Sequence, residues 1–181
     1  MRKLFTMAAI LLAMSAAAAC HSTQKGTPQL DSILALIETI YNGHDEGKKP
    51  KATDPGTGLA RIVYDSELDS EEGFEIVTII YGQGVKASKK QIEEDYTVWV
   101  CEATDAHACY VRFQFDTDNG ATVAFNNKAD AEAFARQMKP RLSRDEYDLE
   151  YGSGTVNGFY VNKIEPQQDD NGWWTFSFHG G

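Results

Sequence analysis

Basic residues are in deficit in this chain: 17 lysines and arginines stand against 27 acids, a net charge of −10 at pH 7. A surface of that sign repels phosphate backbones and anionic headgroups, so nucleic acid is not expected as a partner. Cysteine is scarce, with only Cys20, Cys101 and Cys109, and no two of them form a C-x-x-C pair. None of the histidines (His21, His44, His107, His179) stands in an H-x-x-x-H or H-E-x-x-H pattern, and no serine sits in G-x-S-x-G. Gly82-Gln83-Gly84 and Gly152-Ser153-Gly154 lack the third glycine of a dinucleotide loop. The common signatures of zinc sites, nucleophilic hydrolases and dinucleotide cofactors are thus missing, and no catalytic residue, metal site or cofactor is expected. A long apolar run is missing too. Residues 4–14 are apolar except for Thr6, which is short of the roughly 20 residues a membrane span needs.

That short apolar run has its own meaning. Arg2 and Lys3 precede it, and small residues follow from Ser15 to Ala19. A basic head, an apolar centre and a small-residue end are the parts of a secretory signal. The tetrad Ala17-Ala18-Ala19-Cys20 resembles the lipobox of bacterial lipoproteins, with Ala17 where the family usually has leucine. The resemblance covers only the first twenty residues. It implies cleavage before Cys20, lipids on the Cys20 thiol and amino group, and attachment to a membrane of the bacterial cell envelope. Several acyl chains hold stably, since each buried methylene contributes about 0.8 kcal/mol. Ala17-x-Ala19 also fits an ordinary signal-peptidase site, which would release a soluble protein.

The expected organisation is a signal peptide over 1–19, a lipidated tether over 20–27 and a single globular domain over 28–181. Removing the leader takes Arg2 and Lys3 with it, leaving 15 basic against 27 acidic residues, a charge of −12. With 42% hydrophobic and 11% aromatic residues, that domain can bury a substantial core.

Hydrophobic spacing predicts a first helix opened by Thr27 and Pro28 and closed at Gly43, with Leu30, Ile33, Leu34, Ile37, Ile40 and Tyr41 on one stripe. Residues 44–58 read as a polar loop and 74–81 as an interior strand, apolar on both faces. Ser88-Lys89-Lys90-Gln91 resembles a capping box, predicting a short helix to Glu94. Residues 97–101, 109–115 and 121–125 read as a meander in which Cys101 faces Cys109, Phe113 faces Val123, and Trp99 joins Val111, Phe113, Phe115, Val123 and Phe125 on one face. Asn127 caps a second helix ended by Pro140. Strands are expected at 147–151, 159–164 and 173–178, the last two as a C-terminal hairpin turning at 167–172. The fold class is α+β: an antiparallel sheet with helices mainly on one face.

In that register, Cys101 and Cys109 form a disulfide, the usual state of a facing pair in an oxidising compartment. A metal site built from both thiols with Asp105 and His107 is the alternative. Asp116-Thr117-Asp118-Asn119-Gly120 and Asp169-Asp170-Asn171-Gly172 read as turns rather than calcium loops, lacking the distal ligands. Trp173 and Trp174 point to opposite faces of a strand, so one of them, beside Tyr160, offers an aromatic binding surface; Trp174, sharing a face with Phe176 and Phe178, is expected in the core. The chain therefore reads as a lipid-anchored envelope protein, a small non-catalytic module binding an envelope protein or a glycan. A periplasmic, hydrolase-like enzyme with a scattered site is the alternative.

Overall fold

The computed structural model describes residues 26–48, 54, 56–62, 78–94, 96–115 and 120–180. The expected leader, Cys20 and the expected turn at 116–119 lie outside them. Among the described residues run α1 (Leu30–Asp45), β1 (Thr78–Gln83), β2 (Val85–Glu93), β3 (Tyr96–Ala103), β4 (Cys109–Gln114) and β5 (Gly120–Phe125). The chain continues through α2 (Lys128–Met138), β6 (Leu142–Ser143), α3 (Glu146–Tyr151), β7 (Gly154–Val156), β8 (Phe159–Val161), β9 (Gln167–Gln168) and β10 (Trp174–His179). The fold is α+β. One eight-stranded sheet has the order β1-β4-β5-β10-β8-β7-β6, with β9 beside β10, and β2 and β3 form a separate hairpin.

Alternation along β4 and β5 explains the layers. Cys109, Val111, Phe113, Phe115, Val123 and Phe125 face one side, where they meet Leu30, Ile33 and Ile37 of α1 and Phe134 and Met138 of α2 in the main core. Tyr110 and Ala124 face the other, where they join Ile80, Ala108, Trp173 and Cys101 in a second cluster. The helices cover the first face and the hairpin the second.

Helix α1 follows its apolar stripe but starts and stops differently from expectation. Its N-cap is Gln29, which makes no side-chain cap bond. The open N-terminus is instead served from α2: Gln137 Oε1 accepts the Leu30 N–H at 2.8 Å, and Gln137 Nε2 donates to the Pro28 carbonyl at 3.3 Å. Arg141 adds a bidentate pair to Asp31. The helix runs two residues past Gly43, through His44 to Asp45, and there the His44 ring stacks on Phe115 at 4.0 Å. Helix α2 is capped as its sequence predicts, Asn127 accepting the Asp130 N–H, and a 3-10 turn carries Pro140.

Four expectations need correction. Strand β1 lies at one end of the sheet order, although it is apolar on both faces; its outer edge is covered by an isolated bridge between Arg61 and Tyr81 and by the Gly82 N–H donating to Ala60. The expected helix at 88–94 is strand β2, whose pairing with β3 outweighs the capping pattern. The expected strand at 147–151 is α3, closed by a reciprocal capping box between Asp145 and Asp148 and by Gly152 in the left-handed region. The meander is the largest change: β3 pairs with β2, not β4. The β4–β5 register sets Phe113 against Ala121 and Val111 against Val123. That is two residues from the expected pairing, and an even slip leaves every side chain on its face.

Because Gln137 closes the first turn of α1 from another helix, Gln137→Ala should cost about 1 kcal/mol, the usual worth of a helix cap. Urea unfolding should show a lowered midpoint with an unchanged slope; an unchanged midpoint would mean that water serves the helix end equally well.

Candidate functional site

The sheet's second face carries a cavity of about 300 Å³ beneath the β2–β3 hairpin. Gly84 makes the fold-over possible. Its φ is +61°, and a Cβ there would lie 2.4 Å from Cβ of Asp105, so β1 can turn directly into β2 only with glycine at this point. Strand β3 then returns above the sheet. The loop after it is pinned to the start of α2, with Asn126 Nδ2 donating to the Asp105 carbonyl at 2.8 Å and Asn127 Nδ2 to that of Ala106 at 3.0 Å.

Two side chains rising from the sheet hold β3 in place. The Trp173 indole N–H donates to the Cys101 carbonyl at 3.1 Å, and Arg112 Nη2 donates to the Trp99 carbonyl at 2.6 Å. Trp173 is aimed by its own turn: Asp169 Oδ1 accepts the backbone N–H groups of Asn171 and Trp173, with Gly172 at φ +85°. The indole meets Tyr110 edge-on, with ring centroids 4.8 Å apart at 71°. Trp99, Tyr110 and Trp173 form the aromatic walls; Ile92, Val98 and Val100 add aliphatic surface; Lys90, Arg112 and Asp169 are the charged groups, and Cys101 contributes its thiol.

The two cysteines sit apart from one another. Both are free thiols, Cys101 opposite Ala87 on β3 and Cys109 between Gln83 and Phe125 on β4. They belong to clusters on opposite faces of the sheet, so the expected disulfide is absent from this structure, for the same reason that the meander register fails. Burial pushes both thiols up. At Cys101 the adjacent Arg112 guanidinium opposes that shift; at Cys109 the charge of Asp130 reinforces it.

Trp173, Trp174 and Tyr160 do not share one surface. Trp173 is the more buried indole, 5% exposed, and lines the cavity. Trp174 faces the helices, partly buried against the main core with Lys128 5.4 Å above its ring. The sides are as expected, Trp174 sharing its face with Phe176 and Phe178, but the burial is reversed, because the turn ending at Gly172 seats Trp173 under the hairpin. Tyr160 pairs with His179 at the far end of β10. Of the cavity residues, Lys90 stands in the sequence only as part of a capping pattern and Arg112 carries no motif. The one signal at Arg112 was a lone cation in the middle of an apolar strand, between Val111 and Phe113.

Among the described residues, His44 and His107 do not converge. His44 stacks on Phe115 beyond one end of β4, while His107 lies before the other end and pairs with Asp130 at 2.9 Å. Asp130 also accepts from Thr27 at 3.2 Å and from Asn127 at 2.5 Å. Its burial acts to raise its pKa, but these hydrogen bonds and the imidazole prevail and hold it below the usual carboxylate value. The cluster ties the chain before α1 to α2 and to the loop after β3, a structural task. Among the described residues, no three His, Cys, Asp or Glu side chains gather in a geometry fit for a metal ion.

The chain matches no family model, no curated protein and no solved structure.

Three outcomes follow from these positions. Trp173→Ala should cost about 3–5 kcal/mol, the range for removing a buried aromatic, and Trp174→Ala clearly less; equal losses in thermal melts would contradict the two environments. In the native protein, iodoacetamide should alkylate Cys101 slowly and Cys109 only after unfolding, as peptide mapping would show; equal rates would place both thiols alike. A depressed carboxylate stabilises above its unfolded pKa and loses that contribution as pH falls through the folded value. Asp130→Asn should therefore be less stable than wild type at neutral pH, with urea midpoints converging in acid; a gap constant with pH would refute the pairing.

Proposed function

We propose that this chain is a lipid-anchored protein of the bacterial cell envelope whose domain is a non-catalytic binding module, with the cavity under the β2–β3 hairpin as its ligand site. The observation that carries the binding reading is the cavity itself. It combines three aromatic walls with a few polar groups, at a volume near the lower end for small-molecule sites. The separation of His44 from His107 favours binding over the hydrolase alternative, which needs an acid and a base in one cleft. The anchoring reading rests on the lipobox-like tetrad ending at Cys20. No helix among the described residues is long and apolar enough to cross a membrane, so lipid on Cys20 would be the attachment. Glycan or protein partners would meet the exposed hairpin edge around the cavity mouth.

Anchoring is tested by Cys20→Ser, which should move the full chain from the membrane to the soluble fraction, with wild type showing the added mass of acyl chains. An intact mass corresponding to an unmodified Cys20 would refute it. Binding is tested by alkylation of Cys101 in the purified full chain. The low-molecular-weight fraction of the native envelope should slow it, and an unchanged rate would count against a ligand in the cavity.

A further inference from the structure

The charge around the cavity runs against that of the chain. In a protein with 27 acids and 17 bases, the charged lining is two cations, Lys90 and Arg112, and one carboxylate, Asp169. Asp169 is turned toward its own backbone, with Oδ1 accepting two N–H groups of its turn. A third cation stands near the rim, Lys89 lying 5.1 Å above the Trp99 ring.

Arg112 is the decisive group. It is half-buried on the central part of β4, and no carboxylate among the described residues pairs with it. Its contacts are one carbonyl, the Cys101 sulfur and the Tyr110 ring at 5.7 Å, and its buried Nε–H has no acceptor. A guanidinium withdrawn from water is normally paired, because the desolvated charge is otherwise costly. Its planar fork of N–H groups matches a carboxylate in two-point contact. The neighbouring aromatic rings offer surface for a flat apolar body.

Resting on the reading of this cavity as a ligand site, we infer that it takes a small ligand carrying a carboxylate on a flat apolar body, with the carboxylate held by Arg112 and Lys90 and the body among Trp99, Tyr110 and Trp173. A free aromatic acid and the C-terminal carboxylate of a peptide ending in an aromatic residue share this chemistry.

The test uses acid and amide pairs of nearly equal shape on the full chain in detergent micelles: phenylacetate against phenylacetamide for the free acid, and N-acetylphenylalanine against its amide for the peptide end. Calorimetric titration measures binding, and protection of Cys101 from iodoacetamide locates it, with Cys109 as the internal control. At least one acid should bind about tenfold tighter than its amide, the difference between a charge-assisted and a neutral hydrogen bond. Raised salt should narrow the preference. Arg112→Gln should bring acid and amide within about twofold, Arg112→Lys should retain part of the preference, and Lys90→Gln should weaken the acid alone, by about threefold, as expected for an exposed charge. Equal protection by acid and amide in wild type would overturn the carboxylate inference and leave the cavity as a binding site. No protection by any of the four compounds would overturn both. A preference that survives Arg112→Gln would remove Arg112 from the site.

Discussion

Strand β4 has to be buried on both sides at once, and the rest of the molecule is arranged around that requirement. Val111 and Phe113 are fully covered on one face, and Tyr110 is covered on the other. A sheet that is apolar on both faces needs two covers, since each exposed apolar face costs about 25 cal/mol for every Å² left in water. Helices α1 and α2 supply the first cover, and β2–β3 supplies the second. The helices can close their side completely with long aliphatic and phenylalanine side chains. The hairpin cannot, because it is only two strands wide and mostly exposed along β2. It leaves the space in which Arg112 and Cys101 lie.

That asymmetry separates stability from recognition. The main core holds interlocking rings such as Phe125, Phe134 and Phe176, with centroids 5.3 to 6.2 Å apart. The hairpin side is held by fewer, more directional contacts: an indole N–H to the Cys101 carbonyl and a guanidinium to the Trp99 carbonyl. Contacts of this kind fix where a strand lies without filling the volume beneath it. A polar group can remain there in reach of a ligand, which a fully packed layer would not permit.

How far the sequence could be read depended on the range of the forces involved. The apolar stripes of α1 and α2, the pairing of β4 with β5 though not its register, and the turn at Asp169 are local, decided by periodicity and turn residues, and they were legible. The partner of β3 was not. Its residues suit β2 or β4 equally by composition; it pairs with β2, the strand just before it, and Gly84 at φ +61° lets that hairpin leave the end of β1. With that pairing misread, Cys101 and Cys109 looked like cross-strand neighbours, and Trp173 looked like the exposed member of its pair. Tyr147–Tyr151 was misread for a smaller reason: the Asp145 and Asp148 capping box was a helix signal set in a stretch rich in aromatic residues that favour strands. Arg112 as a site residue was legible only as an oddity, a charge in an apolar strand, because its lack of a carboxylate partner among the described residues is a fact of three dimensions.

The central claim is that β3 lies across the second face of the sheet, held by Trp173, rather than beside β4. Nuclear Overhauser contacts from the Trp173 indole proton test it most directly. The indole donates to the Cys101 carbonyl at 3.1 Å, so its proton should show strong contacts to the backbone protons of Cys101 and Glu102, with Cys101 Hα close to Ala87 across the β2–β3 pair. Absence of the indole contacts, together with cross-strand contacts between Cys101 and Cys109, would contradict the account and restore the meander.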